Sequence, residues 1–150
     1  MIQAEKNEQG VQTEAKYFID IEAMEAKGRS MSVMLASRRC PSCQISLSKE
    51  ELLTIQPDIH LERLVECCSK KPDYIFSTMP LMEATFRLLL AVGNRAMTLQ
   101  EIHEALAERW RAAGFPKYLP LGMLERMLNH DDYYGIFRVA TEKEGEEGGV

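Results

Sequence analysis

The residues of this chain best suited to chemistry are its four cysteines, which fall into two clusters. Cys40 and Cys43 stand as Cys-Pro-Ser-Cys, the spacing of a metal knuckle, and Cys67 and Cys68 follow as an adjacent pair. A structural zinc site takes four thiolate or imidazole ligands in a tetrahedron, commonly two from each of two segments. The count fits such a site, and Zn2+ is the ion expected there. The second pair is irregular, because neighbouring helical residues point about 100° apart. Cys67 and Cys68 therefore reach one ion only if their helix unwinds between them. Lys70, Lys71 and Pro72 make a plausible ending just beyond. His60 is a substitute ligand, two helical turns before Cys67 and about 10 Å from it along the axis.

Two other uses of the sulfurs stay open at this stage. The thiols can be buried and unligated, or they can form a redox pair or hold an iron–sulfur cluster. A redox Cys-x-x-Cys opens a helix in a βαβ unit, where the positive helix end lowers the thiol pKa. No βαβ alternation surrounds Cys40.

Further catalytic signatures are missing. The chain has no glycine-rich phosphate loop and no Gly-x-Ser-x-Gly elbow. His130-Asp131-Asp132 reads as a solvated helix end, His103 as packing beside Leu99 and Leu106, and Asp20, Glu22 and Glu25 as a wet helix face. The expectation is a binding protein and not an enzyme, with no small-molecule substrate evident.

Composition sets the frame around these residues. The 150 residues are 45% hydrophobic and 27% charged, ordinary globular usage that permits a sizeable core. The net charge of −5 is concentrated at the two ends. The body between is close to neutral, so charge neither excludes nucleic acid nor recommends it, and a strong basic footprint is absent. The start, MIQAEKNEQG, lacks the basic and apolar regions of a signal peptide. The longest aliphatic run, Leu88 to Val92, is far below the roughly 20 residues that span a bilayer. A cytoplasmic protein with no membrane contact is expected, and its cysteines are then thiols or metal ligands in preference to disulfides.

The elements that must position the cysteines are short. Asp20 caps a helix through Ile21 and Met24 that ends at Gly28. Ser30 caps another through Met31, Met34 and Leu35, although a strand through Met31, Val33 and Leu35 fits almost as well. Ser48 and Glu51 form a capping box. Residues 59–70 read as one helix, with Leu61, Leu64, Val65 and Cys68 along a stripe. Behind them the pattern sharpens. Pro80 starts a helix to about Val92, apolar nearly all round and hence central. Thr98 and Glu101 make a second capping box opening a helix with Leu99, Ile102, Leu106 and Trp110 inward. Pro120 starts a third helix carrying Leu121, Leu124 and Leu128, and Tyr133 to Val139 is β-branched and aromatic.

This order over residues 79–140 resembles a winged helix-turn-helix. The likeness is carried by Met97-Thr98-Leu99-Gln100-Glu101-Ile102, Leu121-Gly122-Met123-Leu124-Glu125-Arg126-Met127-Leu128 and Tyr134-Gly135-Ile136-Phe137-Arg138-Val139. It implies that residues 120–130 form the helix that enters a major groove, with Arg126 and Asn129 reaching base edges and Arg111, Lys117 and Arg138 supplying cations. Glu125 departs from that role, and the acidic segment after Val139 leaves no second wing strand.

The expected fold is mainly α, with at most one short strand pair. A disordered tail over 1–16, a cysteine-stapled helical module over 17–76, a winged-helix-like module over 77–140 and an acidic disordered tail over 141–150 complete it. The expected function is a zinc-stabilised DNA-binding or transcription-associated protein. The alternative is a protein-interaction adaptor, homodimeric in one version, that uses apolar helix surface and some of the nine methionines.

Overall fold

A computed structural model describes residues 10–140, and residues 1–9 and 141–150, including the acidic tail, lie outside the described residues. The fold is mainly α with a small antiparallel sheet. In chain order the elements are β1 (Lys16–Ile19), α1 (Ile21–Ala26), α2 (Met31–Ala36), α3 (Pro41–Ile45), α4 (Lys49–Thr54), α5 (Pro57–Glu66), a 3₁₀ turn (Cys68–Lys70), α6 (Leu81–Ala91), β2 (Met97–Thr98), α7 (Leu99–Ala112), α8 (Leu121–Asn129) and β3 (Ile136–Arg138).

Local chemistry sets most of these boundaries. Asp20 and Ser30 accept the N–H of Ala23 and Val33 and cap α1 and α2, so the Met31–Leu35 segment is helix and not strand. Both expected capping boxes are present, Ser48 with Glu51 and Thr98 with Glu101. Pro57 occupies the first turn of α5, where its missing N–H would be unpaired anyway.

The last expected strand is shorter than its composition suggests. The Asp131 carboxylate accepts N–H groups from Tyr133, Tyr134 and Ile136, which holds residues 133–135 in a turn. Gly135 then turns at φ +81°, and a Cβ there would meet the Met24 side chain. Only Ile136–Arg138 remain to pair.

The sheet order is β2-β1-β3, antiparallel throughout, with Tyr17 opposite Met97 on one side and Arg138 on the other. One strand pair was expected, and the sheet has three strands. The added strand is the segment that the apolar triplet Tyr17-Phe18-Ile19 marks, and it lies in the centre. Asn94 completes its edge: at φ +60°, its side chain accepts the Ile19 N–H and donates to the Ile19 carbonyl, both at 2.8 Å, as a neighbouring strand would.

The expected tail over 1–16 is likewise corrected for its described part. Ala15 is buried, and its carbonyl accepts the Leu99 N–H. The Gln12 N–H reaches the Glu125 carboxylate on α8. A strand inserted between β2 and β3 carries the residues before it across α7 and α8.

The two halves share one apolar cluster. Met31, Leu35 and Leu64 from the front meet Phe86, Leu89, Leu90, Leu99, Ile102, Leu106 and Leu124 from the rear. A polar junction ties them as well. Arg38 forks onto the Glu83 carboxylate at 3.0 and 2.7 Å, Arg87 Nε donates to it at 2.8 Å, and the Tyr134 hydroxyl donates at 3.0 Å. Burial alone would raise the Glu83 pKa. The donors from Arg38 and Arg87 outweigh it and hold the carboxyl at about 2, below its ordinary 4.5.

Two outcomes follow. A carboxyl with a depressed folded pKa adds stability that is complete above pH 4.5 and fades as pH falls toward about 2. Glu83→Gln should therefore destabilise at pH 7 by roughly 3 kcal/mol, with the gap from wild type closing over that acid window in urea titrations. Asn94→Ala strands both Ile19 backbone groups and strains a left-handed position, so its unfolding free energy should drop by roughly 2–4 kcal/mol. Asn94→Gly, which keeps the backbone freedom, should lose less.

Candidate metal centre

The site begins with where two helices start and stop. Cys40 is the N-cap of α3, with Pro41 at the first helical position, so Cys43 lies one turn along and its side chain returns toward Cys40. On the other side, the expected helix over 59–70 is interrupted. α5 ends at Glu66, Cys67 takes φ −128° and ψ −63°, and the chain resumes as a 3₁₀ turn from Cys68. That break is the unwinding that an adjacent cysteine pair requires. It frees Cys67 and Cys68 from the 100° separation of a continuous helix.

The result is that all four Sγ atoms lie within 4.8 Å of one another. Cys67 Sγ is 3.6 Å from Cys43 Sγ and 4.0 Å from Cys40 Sγ. A tetrahedron with metal–sulfur bonds of about 2.3 Å has edges of about 3.8 Å. The four cysteines thus cluster at metal-binding distance. None is in a disulfide, and Cys43 and Cys68 are buried while Cys40 and Cys67 are half-buried.

Donors surround the sulfurs. The Cys40 N–H points at Cys68 Sγ at 3.1 Å, Arg63 Nε donates to Cys43 Sγ at 3.1 Å, and the Ser42 hydroxyl lies 3.4 Å from Cys40 Sγ. Without a metal the thiols differ in acidity. Cys40 is pulled down to about 6, first by the Ser42 contact, against an opposing push from burial. Cys67 is raised, chiefly by its hydrogen bond with Cys43. Cys68 is pushed up to about 12 by burial. Such a site favours a cation that deprotonates its ligands and replaces the lost solvation.

His60 is not part of the cluster. Its ring is fully buried, its Nδ1 accepts from Arg39 Nε at 2.9 Å and its Nε2 sits 2.9 Å from the Leu52 carbonyl. Both nitrogens are used in packing α5 against the Arg39 turn and α4, so the substitute-ligand expectation is replaced by a structural role. Burial, then the Arg39 charge, holds its pKa below the ordinary value.

The other expected site residues are dispersed. Arg126 is exposed on α8, and Asn129 accepts the Tyr17 hydroxyl at 2.7 Å. Arg138 faces Tyr17 across the β1–β3 register. Arg111 pairs with Glu108 at 3.1 Å on α7, and Lys117 donates to the Ser77 carbonyl while lying 4.5 Å from the Trp110 ring centre. Of the remaining histidines, His103 Nε2 contacts the Leu119 carbonyl and His130 Nδ1 that of Arg126. The Arg39–His60 pair and the Glu83 junction were not anticipated. Their residues are far apart in sequence, and no local pattern marks them.

Among the described residues, no helix is long and apolar enough to cross a membrane. No family model, curated protein or solved structure matches the chain.

The four sulfurs should behave as one unit. Cys43→Ser and Cys68→Ser, which remove buried ligands, should each abolish stoichiometric metal retention in elemental analysis. Metal affinity should fall steeply as pH drops from 8 to 6, because binding displaces thiol protons.

Proposed function

We propose that this chain is a zinc-stabilised, winged-helix-like binding module whose metal holds the fold and performs no catalysis. The observation that carries this reading is the sulfur cluster itself. Four cysteine ligands around one ion would complete its tetrahedron and leave no open position for water or substrate, the pattern of structural sites. The tight cage favours a single ion over an iron–sulfur cluster, which inserts its own iron and sulfide atoms between the cysteines.

The winged-helix resemblance is supported by the order α6, β2, α7, α8, β3. The strand that pairs with β3 is β1, from the opposite end of the chain, in place of a second wing strand. α8 then takes the position of the groove-reading helix.

A protein partner fits this surface better than nucleic acid. On α8, Met123 and Met127 are 38% and 36% exposed and flank Arg126, while Glu125 and Asn129 are engaged by the segment around β1. Phosphate neutralisation supplies most of the affinity in non-specific DNA binding. The cations here are few and are dispersed or already paired. Flexible methionines suit adaptable protein contacts.

Purified protein should carry about one equivalent of zinc, with all four thiols protected from alkylation until a chelator is added. Chelation should also cost helical circular dichroism signal. Zinc-free protein with freely reacting thiols and an unchanged spectrum would falsify the metal-clamp reading. For the partner class, fluorescence anisotropy with random duplex DNA should show no binding that steepens as salt falls from 200 to 50 mM. A steep slope lost in Arg126→Ala would restore the DNA reading.

A further inference from the structure

Four thiolates around a divalent ion leave two net negative charges, and such charge in a protein interior requires compensation. Two guanidiniums converge on Cys43. Arg63 Nε donates to its sulfur at 3.1 Å, and Arg39 Nη1 donates to its carbonyl at 3.3 Å. Arg39 is only 7% exposed. Its other hydrogen-bond partner is a neutral imidazole, His60 Nδ1. Among the described residues no carboxylate lies within ion-pair distance of Arg39 or of Arg63. A buried cation without an anion is unstable. Arg39 reaches the site through the Cys43 backbone carbonyl and Arg63 through its sulfur, and their two positive charges match, with opposite sign, the net charge of four thiolates around a divalent ion.

The two arginines differ in position. Arg39 is inside, spent on His60 and the Cys43 carbonyl. Arg63 is on the exposed face of α5, three residues before the helix ends, and its side chain folds over the buried Cys43 sulfur. An N–H···S bond draws electron density from the sulfur lone pair. The thiolate then becomes a weaker nucleophile and a weaker proton acceptor, and the metal–sulfur bond resists attack from solvent.

We infer that Arg63 is a positioning residue of the metal centre, which with Arg39 balances the tetrathiolate of a divalent ion and shields the Cys43 thiolate from protons and electrophiles. This rests on the reading of the cysteines as a metal site. It adds what that reading lacks: a residue outside the ligand set that governs how readily the site lets go of its metal.

The test compares full-length wild type with Arg63→Ala and Arg63→Lys, each loaded with zinc or with cobalt(II). Arg63 is exposed on the helix, and alanine is a strong helix former, so the variant keeps its fold. Glu62→Ala, at the exposed neighbouring position, serves as control. Arg63→Ala should release zinc to excess chelator about tenfold faster or more, in the range typical of lost outer-shell partners. Mass spectrometry after iodoacetamide treatment of the zinc-loaded protein should show Cys43 newly alkylated. In the cobalt form the sulfur-to-metal charge-transfer band should move to lower energy. Arg63→Lys, which keeps charge and a donor, should recover part of each change, and Glu62→Ala should show none. A metal-loaded Arg63→Ala with wild-type release, labelling and spectrum overturns this inference alone. A wild type that takes up neither ion overturns the metal reading and this inference together.

Discussion

The front half of this molecule depends on one interruption of a helix. α5 must stop at Glu66 for Cys67 and Cys68 to face the same point. A continuous helix would send one sulfur into the apolar stripe and the other out to solvent. The break directs both toward Cys40 and Cys43. Everything nearby is arranged around that convergence. Pro41 starts α3 so that its first turn returns Cys43, the Cys40 N–H meets Cys68, and Arg63 lies over Cys43. Short helices of five or six residues have little propensity to stand alone, and α3, which carries Cys43 as its one buried residue and Cys40 as its cap, is held where it meets the end of α5.

The rear half rests on a different device. A three-helix core supplies the burial, and its sheet is completed by a strand from the far end of the sequence. β1 carries Tyr17 and Ile19 into the core and draws residues 11–15 over α7 and α8. This makes the two halves interdependent. Arg38 lies just after α2 and Glu83 in the first turn of α6, and their ion pair, with Arg87 and Tyr134, joins the front segment to the rear. Detaching the front segment would take Arg38 from the Glu83 carboxylate and open the apolar cluster that runs through both halves.

The same insertion bears on function. A winged-helix-like reader needs its third helix free along one edge. Here Gln12 and Tyr17 bond to Glu125 and Asn129 along α8, and the surface left beside Arg126 is sulfur-rich and apolar. On the proposed reading, these contacts occupy Glu125 and Asn129 and leave Met123, Arg126 and Met127 as the exposed part of α8.

The sequence by itself determined the features that depend on neighbours in the chain. The caps at Asp20, Ser30, Ser48 and Thr98 were legible because a side-chain oxygen and the N–H it accepts are about three residues apart. The Cys-x-x-Cys knuckle and the apolar periodicity of α6 to α8 were legible for the same reason. Spacing also posed the right question of Cys67 and Cys68, namely whether the helix unwinds. Only the tertiary structure answered it, because the choice between helix and turn at Cys67 depends on groups 24 to 27 residues away. The strand at 16–19, the neutral burial of His60 against Arg39 and the four-member Glu83 junction were likewise decided in three dimensions. Each is a contact of large sequence separation, and its energy depends on who arrives opposite, which no local pattern records.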